Sequence, residues 1–538
     1  MSTFPEKGEP EIESFEQRAQ SRHVLRSTGA VAIPTVLSRI FGYIRDMIQA
    51  FYMGTSSSMD AFTIAYVIPN LLRRLTGEGA MTAAFVPVFT RVKKERSLKE
   101  IWKFANTFFY FLTLLMALLT VIGILFSALL VKLIAWGYGK VPGKLELTVV
   151  LTRIMFPYIF LISLAALASA ILNSFYKFAV PAFTPVLLNL AIITLALIFA
   201  GKAEEPAYIF AVGVTLGGIL QLVFQIPFLW KRGMRFTLRF SLSDPALRKV
   251  GALMIPGIFG VGITQINLAV SRFIATLLED GSASSLYFAS RVSELSLGMF
   301  SIALSIALLP TFSDLAAQGD IKSVKKTLVF SLRLIFFITL PAMTGLLILN
   351  RPIVQVLFQR GLFGIESTNM TASCLLFFSI GLPFISAVKI LAPVFYSLKD
   401  TKTPVIIAFF VMIVYLSLSF ILMHPMRVGG IALALSAAEV LNFFLLFIFL
   451  ERKIGTIERR ELIVSALKSA LSAAFMGAVI WFVIGRFEFS RLRLIGQLGA
   501  LGSTLLLGIL TYVLLSLIFN HRELQSLKAI FSREEILQ

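Results

Sequence analysis

One cysteine, three histidines and a thin supply of charge set the first limits on this chain. Cys374 has no second cysteine, which excludes an intramolecular disulfide and leaves a thiolate metal site without further ligands. His23, His424 and His521 are scattered, at no metal-ligand spacing and with no serine nucleophile arranged beside them. Charged residues make up 14% of the 538, against roughly 25% in soluble domains, so a soluble globular class is excluded. No Walker A run occurs, which removes ATP hydrolysis from this chain. The acids are dispersed, and the longest loop expected on the external side, about 351–368, holds only Glu366. Neither a paired-carboxylate glycosidase nor a membrane glycosyltransferase with an acidic cluster finds its residues here.

What the chain does have is apolar length. It is 57% hydrophobic with a mean hydropathy of +0.86, the profile of an all-α polytopic membrane protein. Windows of roughly 20 apolar residues predict fourteen spans, near 27–50, 60–80, 104–135, 148–173, 178–200, 207–229, 250–278, 283–313, 327–350, 369–396, 403–423, 428–450, 462–485 and 494–519. Residues 1–26 are polar and charged throughout, so they read as a mobile cytoplasmic tail and not as a cleaved signal peptide. The net charge of +20 would suit nucleic acid, but its distribution does not. With the N-terminus inside, 29 of the 49 Lys and Arg fall in cytoplasmic segments, 9 in external loops and 11 in spans. That bias predicts both termini in the cytoplasm. No soluble module is present to carry a nucleic-acid surface.

A weak repeat at an offset of about 220 residues divides the spans. Ala84-Phe85-Val86-Pro87-Val88-Phe89 resembles Leu308-Leu309-Pro310-Thr311-Phe312, and Phe175-Tyr176 before Thr184-Pro185 resembles Phe395-Tyr396 before Thr403-Pro404. Six crossings return a chain to its starting side, so parallel repeats about an axis normal to the membrane are expected. The organisation predicted is a tail at 1–26, an N-lobe at 27–230, a cytoplasmic linker at 231–249, a C-lobe at 250–450, two further helices within 462–519, and a cytoplasmic tail at 520–538.

The functional signal is charge inside spans. An ionised side chain at bilayer depth costs roughly 2.5–3.5 kcal/mol on insertion scales, so it is retained facing protein or a watery cavity. At 100° per residue, Ser38, Arg39, Gly42, Arg45 and Asp46 fall within about 120° of arc, opposite Ile40, Phe41, Ile44 and Ile48. Asn70, Arg73, Arg74 and Glu78 lie at the inner end of the second span, beside Pro69. Tyr287, Arg291, Glu294, Gly298, Ser301 and Ser305 share about 80° of the eighth, and Lys389 lies deep in the tenth. Simpler roles stand beside these. Asp46 is either a functional acid or a partner for Arg39, and Glu294 likewise for Arg291. Arg74 is either a site residue or an interfacial anchor, and Gly42 either clears access or allows close packing. Lys132, Arg153 and Lys468, near span ends, are expected to snorkel, whereas Arg272 and Arg333 fit either role. Basic groups outnumber nearby acids, and the planar fork of arginine suits phosphate oxygens. The surplus points to an anionic, phosphorylated substrate.

The segments Ser38-Arg39-x-x-Gly42-x-x-Arg45-Asp46, Asp60-Ala61-Phe62, Pro69-Asn70-Leu71-Leu72-Arg73-Arg74, Glu78-Gly79-Ala80 and Ala84-Phe85-Val86-Pro87 closely resemble the MurJ/MviN family of lipid II flippases. So do Pro157-Tyr158, Pro181-Ala182-Phe183-x-Pro185-x-Leu187-Leu188-Asn189 and Leu391-Ala392-Pro393-x-Phe395-Tyr396. The likeness runs in order from about 27 to 520. It implies a MOP-superfamily exporter of the bacterial inner membrane: fourteen helices, two six-helix lobes, a central cationic cavity, and a final helix pair grooved for the polyprenyl tail. The implied cargo is undecaprenyl-pyrophosphate-MurNAc-pentapeptide-GlcNAc, moved to the outer leaflet for peptidoglycan synthesis, without enzymatic activity or cofactor. Substrate contacts then fall to Arg39, Arg45, Arg73, Arg291, Lys389, Ser38, Gly42 and Asn70, and gating or ion-pair roles to Asp46, Asp60, Glu78, Glu294 and Arg74. Some relatives carry a sodium site in the C-terminal lobe. Here only Glu439 and Asn442 offer ligands, so no metal is expected. Partners implied are lipid II, membrane lipids and, transiently, other cell-wall synthesis proteins. The alternative is a related exporter for O-antigen or for cationic drugs, the latter favouring an acidic cavity.

Overall fold

A backbone in hydrocarbon must satisfy its own N–H and C=O groups, and a helix does so within a single segment. The computed structural model describes residues 9–73, 81–237, 244–487, 489, 492–519, 521 and 523–524. Within its helices the side chains of 9–30, 72–73, 82–83, 255–269, 296–300 and 302–303 lie outside that description. Among the described residues every regular element is helical. Helices α1 (Glu9–Met53), α2 (Ser57–Arg73), α3 (Met81–Glu95), α4 (Leu98–Leu125), α5 (Ser127–Ile134), α6 (Lys144–Met155), α7 (Pro157–Ser174), α8 (Ala179–Phe199) and α9 (Pro206–Trp230) make the first part. Helices α10 (Pro245–Ala275), α11 (Ser282–Ala317), α12 (Ile321–Phe358), α13 (Ile365–Ser397), α14 (Lys402–Ile454), α15 (Arg459–Ile484) and α16 (Leu494–Ile518) follow.

Among the described residues, nine helical stretches are long and apolar enough to cross a membrane by themselves. The charged spans are helical too, in α1, α2, α10 and α11, and two expected spans are merged in α14, where Arg427 leaves helical geometry at φ 50°, ψ −135°. Pro425, two residues earlier, cannot donate to the helix ladder, which explains the break there. Three departures from the sequence reading have local causes. Residues 9–26, expected as a mobile tail, continue α1. Helix α12 runs eight residues past its expected end, to Phe358, carrying Pro352 inside it. Helix α3 was not expected at all, because Arg91, Lys93 and Lys94 broke the apolar window.

The chain divides into two compact units. The first is Met1–Tyr52, Ile64–Ile134 and Gly139–Ala269; the second is Met53–Thr63, Ala135–Tyr138 and Val270–Gln538. In the first unit, α3 lays Phe85 and Phe89 against Phe104 and Phe108 of α4, with ring centroids 4.9 Å apart for Phe85 and Phe108. Helices α8 and α9 touch closely through Gly213 and Gly217, where an added Cβ would come within 3.0 Å of the Ile192 and Leu188 Cα atoms. Small residues at helix contacts are how membrane helices gain packing without a hydrophobic drive.

In the second unit, α13 and α14 meet at Gly381, and Ser436 Oγ donates to the Phe377 carbonyl at 2.7 Å. Helices α12, α15 and α16 enclose Phe337, Leu349, Met476, Ile480 and Tyr512, and the Tyr512 hydroxyl donates to the Phe337 carbonyl at 2.7 Å. Gly54, in the left-handed region at φ +57°, lies under the 361–364 turn: a Cβ there would meet the Leu362 carbonyl oxygen at 2.4 Å.

Gly54 and Gly143 separate two contributions to stability. Gly143 also has positive φ, +76°, but nothing within 4 Å of an added Cβ. Gly143→Ala should therefore cost only the left-handed penalty, about 1–2 kcal/mol. Gly54→Ala should cost that and the clash with Leu362, lowering the thermal unfolding midpoint of the purified protein clearly more.

Candidate functional site

Polar groups along the charged arc of α1 are held by a second helix. Arg45, whose side chain is 12% exposed, donates through Nε and Nη2 to Asp46 Oδ1 at 3.1 and 2.7 Å. Its Nη1 donates to Asn189 Oδ1 on α8 at 3.0 Å. The Asn189 amide donates in turn to the Ser38 carbonyl at 3.1 Å. Asp46 is fully buried and pairs with its chain neighbour Arg45. Arg39, six residues earlier, is exposed, and Gly42 between them is buried. A charge-assisted network of this kind fixes a guanidinium in one orientation.

Asn70, on α2 of the same unit, is half-buried. Arg73 ends α2, and its side chain lies outside the described residues, as do Arg74 and Glu78 entirely. Nothing is therefore assigned to those three from geometry.

In the second unit Asp60 is 1% exposed and caps α11. Its Oδ2 accepts from the Gly281 N–H at 2.9 Å, and Oδ1 accepts from the Ser284 N–H at 2.8 Å and Ser284 Oγ at 2.7 Å. Four N–H groups are left open at a helix start, and a carboxylate there answers both them and the positive end of the dipole. Gly281, at φ +89°, makes the turn that aims its N–H at Asp60. Ser57 Oγ donates to Asp280 alongside, and Thr55 Oγ1 and Ser367 Oγ lie 2.7 Å apart.

Further along α11, Arg291 Nη1 pairs with Glu294 Oε2 at 3.0 Å, both partly open. Lys389 on α13 is half-buried; its carbonyl accepts from Ser305 Oγ at 2.7 Å, and Glu294 and Glu439 are the carboxylates that act on its ammonium. Asn442 Nδ2 donates to Glu439 Oε2 at 3.2 Å. Among the described residues no group of three His, Cys, Asp or Glu could hold a metal. The Glu439–Asn442 pair supplies two ligand side chains, already bonded to each other.

Sequence reasoning assigned no definite role to three of these residues. Asn189 stood only within the motif that carries the family resemblance, as the one amide inside a very apolar span. Ser284 gave no signal, because its role depends on where Asp60 lies. Arg272 had been left open between two roles; it donates to the Ala283 carbonyl at 2.7 Å and lies 5.9 Å from the Tyr287 ring centroid.

Comparison with known proteins gives consistent matches. The family model described as "Lipid II flippase MurJ" matches residues 49–496. A probable lipid II flippase MurJ from Vibrio cholerae is 37% identical over 475 residues, covering 86% of this chain and 89% of that protein. A solved structure of lipid II flippase MurJ in an inward closed conformation is 29% identical, covers 91% of this chain and 98% of that one, and superposes with a TM-score of 0.77. An inward-facing multidrug-resistance transporter of the MATE family, in the MOP superfamily, is 14% identical over 80% of this chain with a TM-score of 0.66, a likeness of fold alone.

The Asp60 cap makes a direct prediction. Asp60→Ala removes the acceptor for three donors at a buried helix start. It should destabilise the purified protein by at least about 1.5–3 kcal/mol, the worth of one hydrogen bond to a charged group. Asp60→Asn, which keeps one acceptor oxygen, should lose less. An unchanged unfolding midpoint in both variants would contradict the cap.

Proposed function

This chain belongs to the MurJ family of lipid II flippases, and from that membership we propose that arginines of its first unit take the pyrophosphate of the lipid-linked cargo. The activity is transport of lipid II across the inner membrane, in which the chain is a multi-pass protein. The observation that carries the site assignment is the Arg45–Asp46–Asn189 network: a guanidinium held at 12% exposure, on the same helical arc as exposed Arg39. A headgroup crossing hydrocarbon unaided would carry its charges and sugars with no partners, at several kcal/mol per unpaired polar group. Oriented guanidinium forks replace water for the phosphate oxygens and need no reorganisation to do so.

In this reading Ser38 and Gly42 shape the floor of the contact, and Asn70 and Arg73 extend it. In the second unit, taken by itself, Arg291 and Lys389 are the groups proposed to meet an anion, with Glu294 and Glu439 restraining the charge there. Asp46 acts through Arg45, as a positioning residue. The chain performs no covalent chemistry, so the cargo leaves with the structure it had on binding. Both termini are cytoplasmic. A drug exporter of the same superfamily would want acidic groups for cationic cargo, whereas the first unit offers Arg39 and Arg45 and the second offers Arg291.

Four measurements test the proposal. Arg39→Ala should abolish rescue of a flippase-depleted strain while the protein remains folded in the membrane; full rescue would overturn its role. Arg45→Lys keeps the charge but loses the fork, and should slow leaflet transfer of lipid II in proteoliposomes by roughly ten- to a hundredfold, the equivalent of one charged hydrogen bond. Recovered lipid II should be chemically intact, and any new glycan product would refute transport as the sole activity. Reporter fusions after Gln538 and within 486–493 should report opposite sides of the membrane.

A further inference from the structure

Where α15 begins and α16 ends, the second unit holds a cavity of about 460 Å³ that the transport reading does not use. Arg333 of α12 enters one side, 14% exposed, with Nη1 on Glu461 Oε2 at 2.9 Å and Nε on Glu523 Oε1 at 2.7 Å. Arg460 and Lys468 of α15 line the same space. The Lys468 ammonium donates to the Phe519 carbonyl at 3.1 Å, and Arg460 is exposed at the rim. Among the described residues the lining has three cations against two carboxylates, and one cation, Arg333, engages both acids.

His521 is the unusual member. Its side chain is fully buried and lines the cavity, and among the described residues neither Nδ1 nor Nε2 has a hydrogen-bond partner. Buried polar atoms are satisfied in the great majority of cases, so an imidazole with both nitrogens open beside a cavity marks a place for something that accepts or donates there. Glu523 Oε2 is 3.6 Å from Nδ1, too far to serve as that partner.

The charge balance selects the occupant. A cation would meet the surplus of Lys468 and Arg460, whereas an anion would add acceptors for both and for His521. The site lies at the helix ends, with Glu461 47% exposed, and is too large for a lone water or chloride. Basic pockets between helices at a membrane boundary are suited to anionic lipid headgroups.

We propose that this cavity binds a phosphate group, supplied by an anionic phospholipid headgroup and held by Arg460, Lys468 and His521. Free inorganic phosphate offers the same oxygens and is the other source to be distinguished. The site is separate from the Arg39–Arg45 network and does not rest on the transport assignment. A pH dependence follows. Burial pulls the His521 pKa below its ordinary value, with Glu523 raising it and Lys468 and Arg333 lowering it further. A bound phosphate adds negative charge against the ring and favours its protonated form. Binding should therefore tighten as pH falls through the ordinary histidine range near about 6.5. The groups facing the ring are Glu523 beside it in the chain, Arg333 from α12, and Arg460, Glu461 and Lys468 from α15.

The chain has only three histidines, His23, His424 and His521, so imidazole ¹⁵N spectra of the full-length protein in a phosphate-free maltoside detergent resolve the site directly, with His521→Gln giving the assignment. Phosphatidylglycerol should shift the His521 signals and raise its apparent pKa, and diacylglycerol should not. A response to inorganic phosphate at matched concentration would support the same site with a free anion as occupant, and a response to the lipid alone would support the headgroup. Arg460→Gln and Lys468→Gln should each weaken binding about tenfold, while Lys468→Arg should retain it; gel filtration checks that each variant is folded. An unmoved His521 signal with both phosphate probes, an equal shift with diacylglycerol, or unchanged affinity in the glutamine variants would overturn the proposal.

Discussion

Every charge this chain takes into hydrocarbon must be answered by another part of the protein, and that constraint shapes both units. A guanidinium stripped of water loses far more than one bond returns unless carboxylates, amides and carbonyls replace the solvent shell. Arg45 is answered by Asp46 and Asn189, Arg272 by the Ala283 carbonyl, and Arg333 by Glu461 and Glu523. The answers from Asn189, Glu461 and Glu523 join residues far apart in sequence, so satisfying the charge there also fixes which helices are neighbours. The hydroxyls follow the same rule locally: Thr148, Thr152, Ser379 and Thr504 each donate to the carbonyl four residues back.

The same rule holds the proposed cargo-binding arginines in defined orientations within the fold. Binding charged phosphate with flexible side chains would cost ordering entropy on each passage. Here the ordering is done during folding, by Asn189 on Arg45 and by Glu294 on Arg291. The carboxylates restrain the positive charge as well as orienting it. A site of bare arginines would bind a pyrophosphate tightly and release it slowly, and a transporter must do both binding and release.

Packing supplies the second layer of control. Gly213, Gly217 and Gly381 let helices approach to backbone contact, and Gly54 and Gly281 turn the chain where a side chain would collide. The turn at Gly281 is what presents its N–H to Asp60. A short acidic segment at the start of α2 thereby becomes the cap of a helix more than 200 residues later, at the Asp60–Ser284 contact.

By itself the sequence determined the class and most of the elements, because hydropathy over some 20 residues depends on composition and not on partners. It also located Arg39, Arg45, Asp46, Arg291 and Lys389, since an ionised group in an apolar window stands out without knowing its neighbours. It could not find α3, whose lysines and arginine hide an apolar face built from Phe85 and Phe89. Nor could it assign the pairings. Asp46 has one arginine seven residues before it and another directly before it, and only the placement of α8 brings Asn189 to Arg45. The cavity around His521 was equally invisible, since its residues come from α12, α15 and the segment after α16. Which charges exist is a property of composition; which of them meet is decided by tertiary packing, because a counter-charge is defined by distance in space.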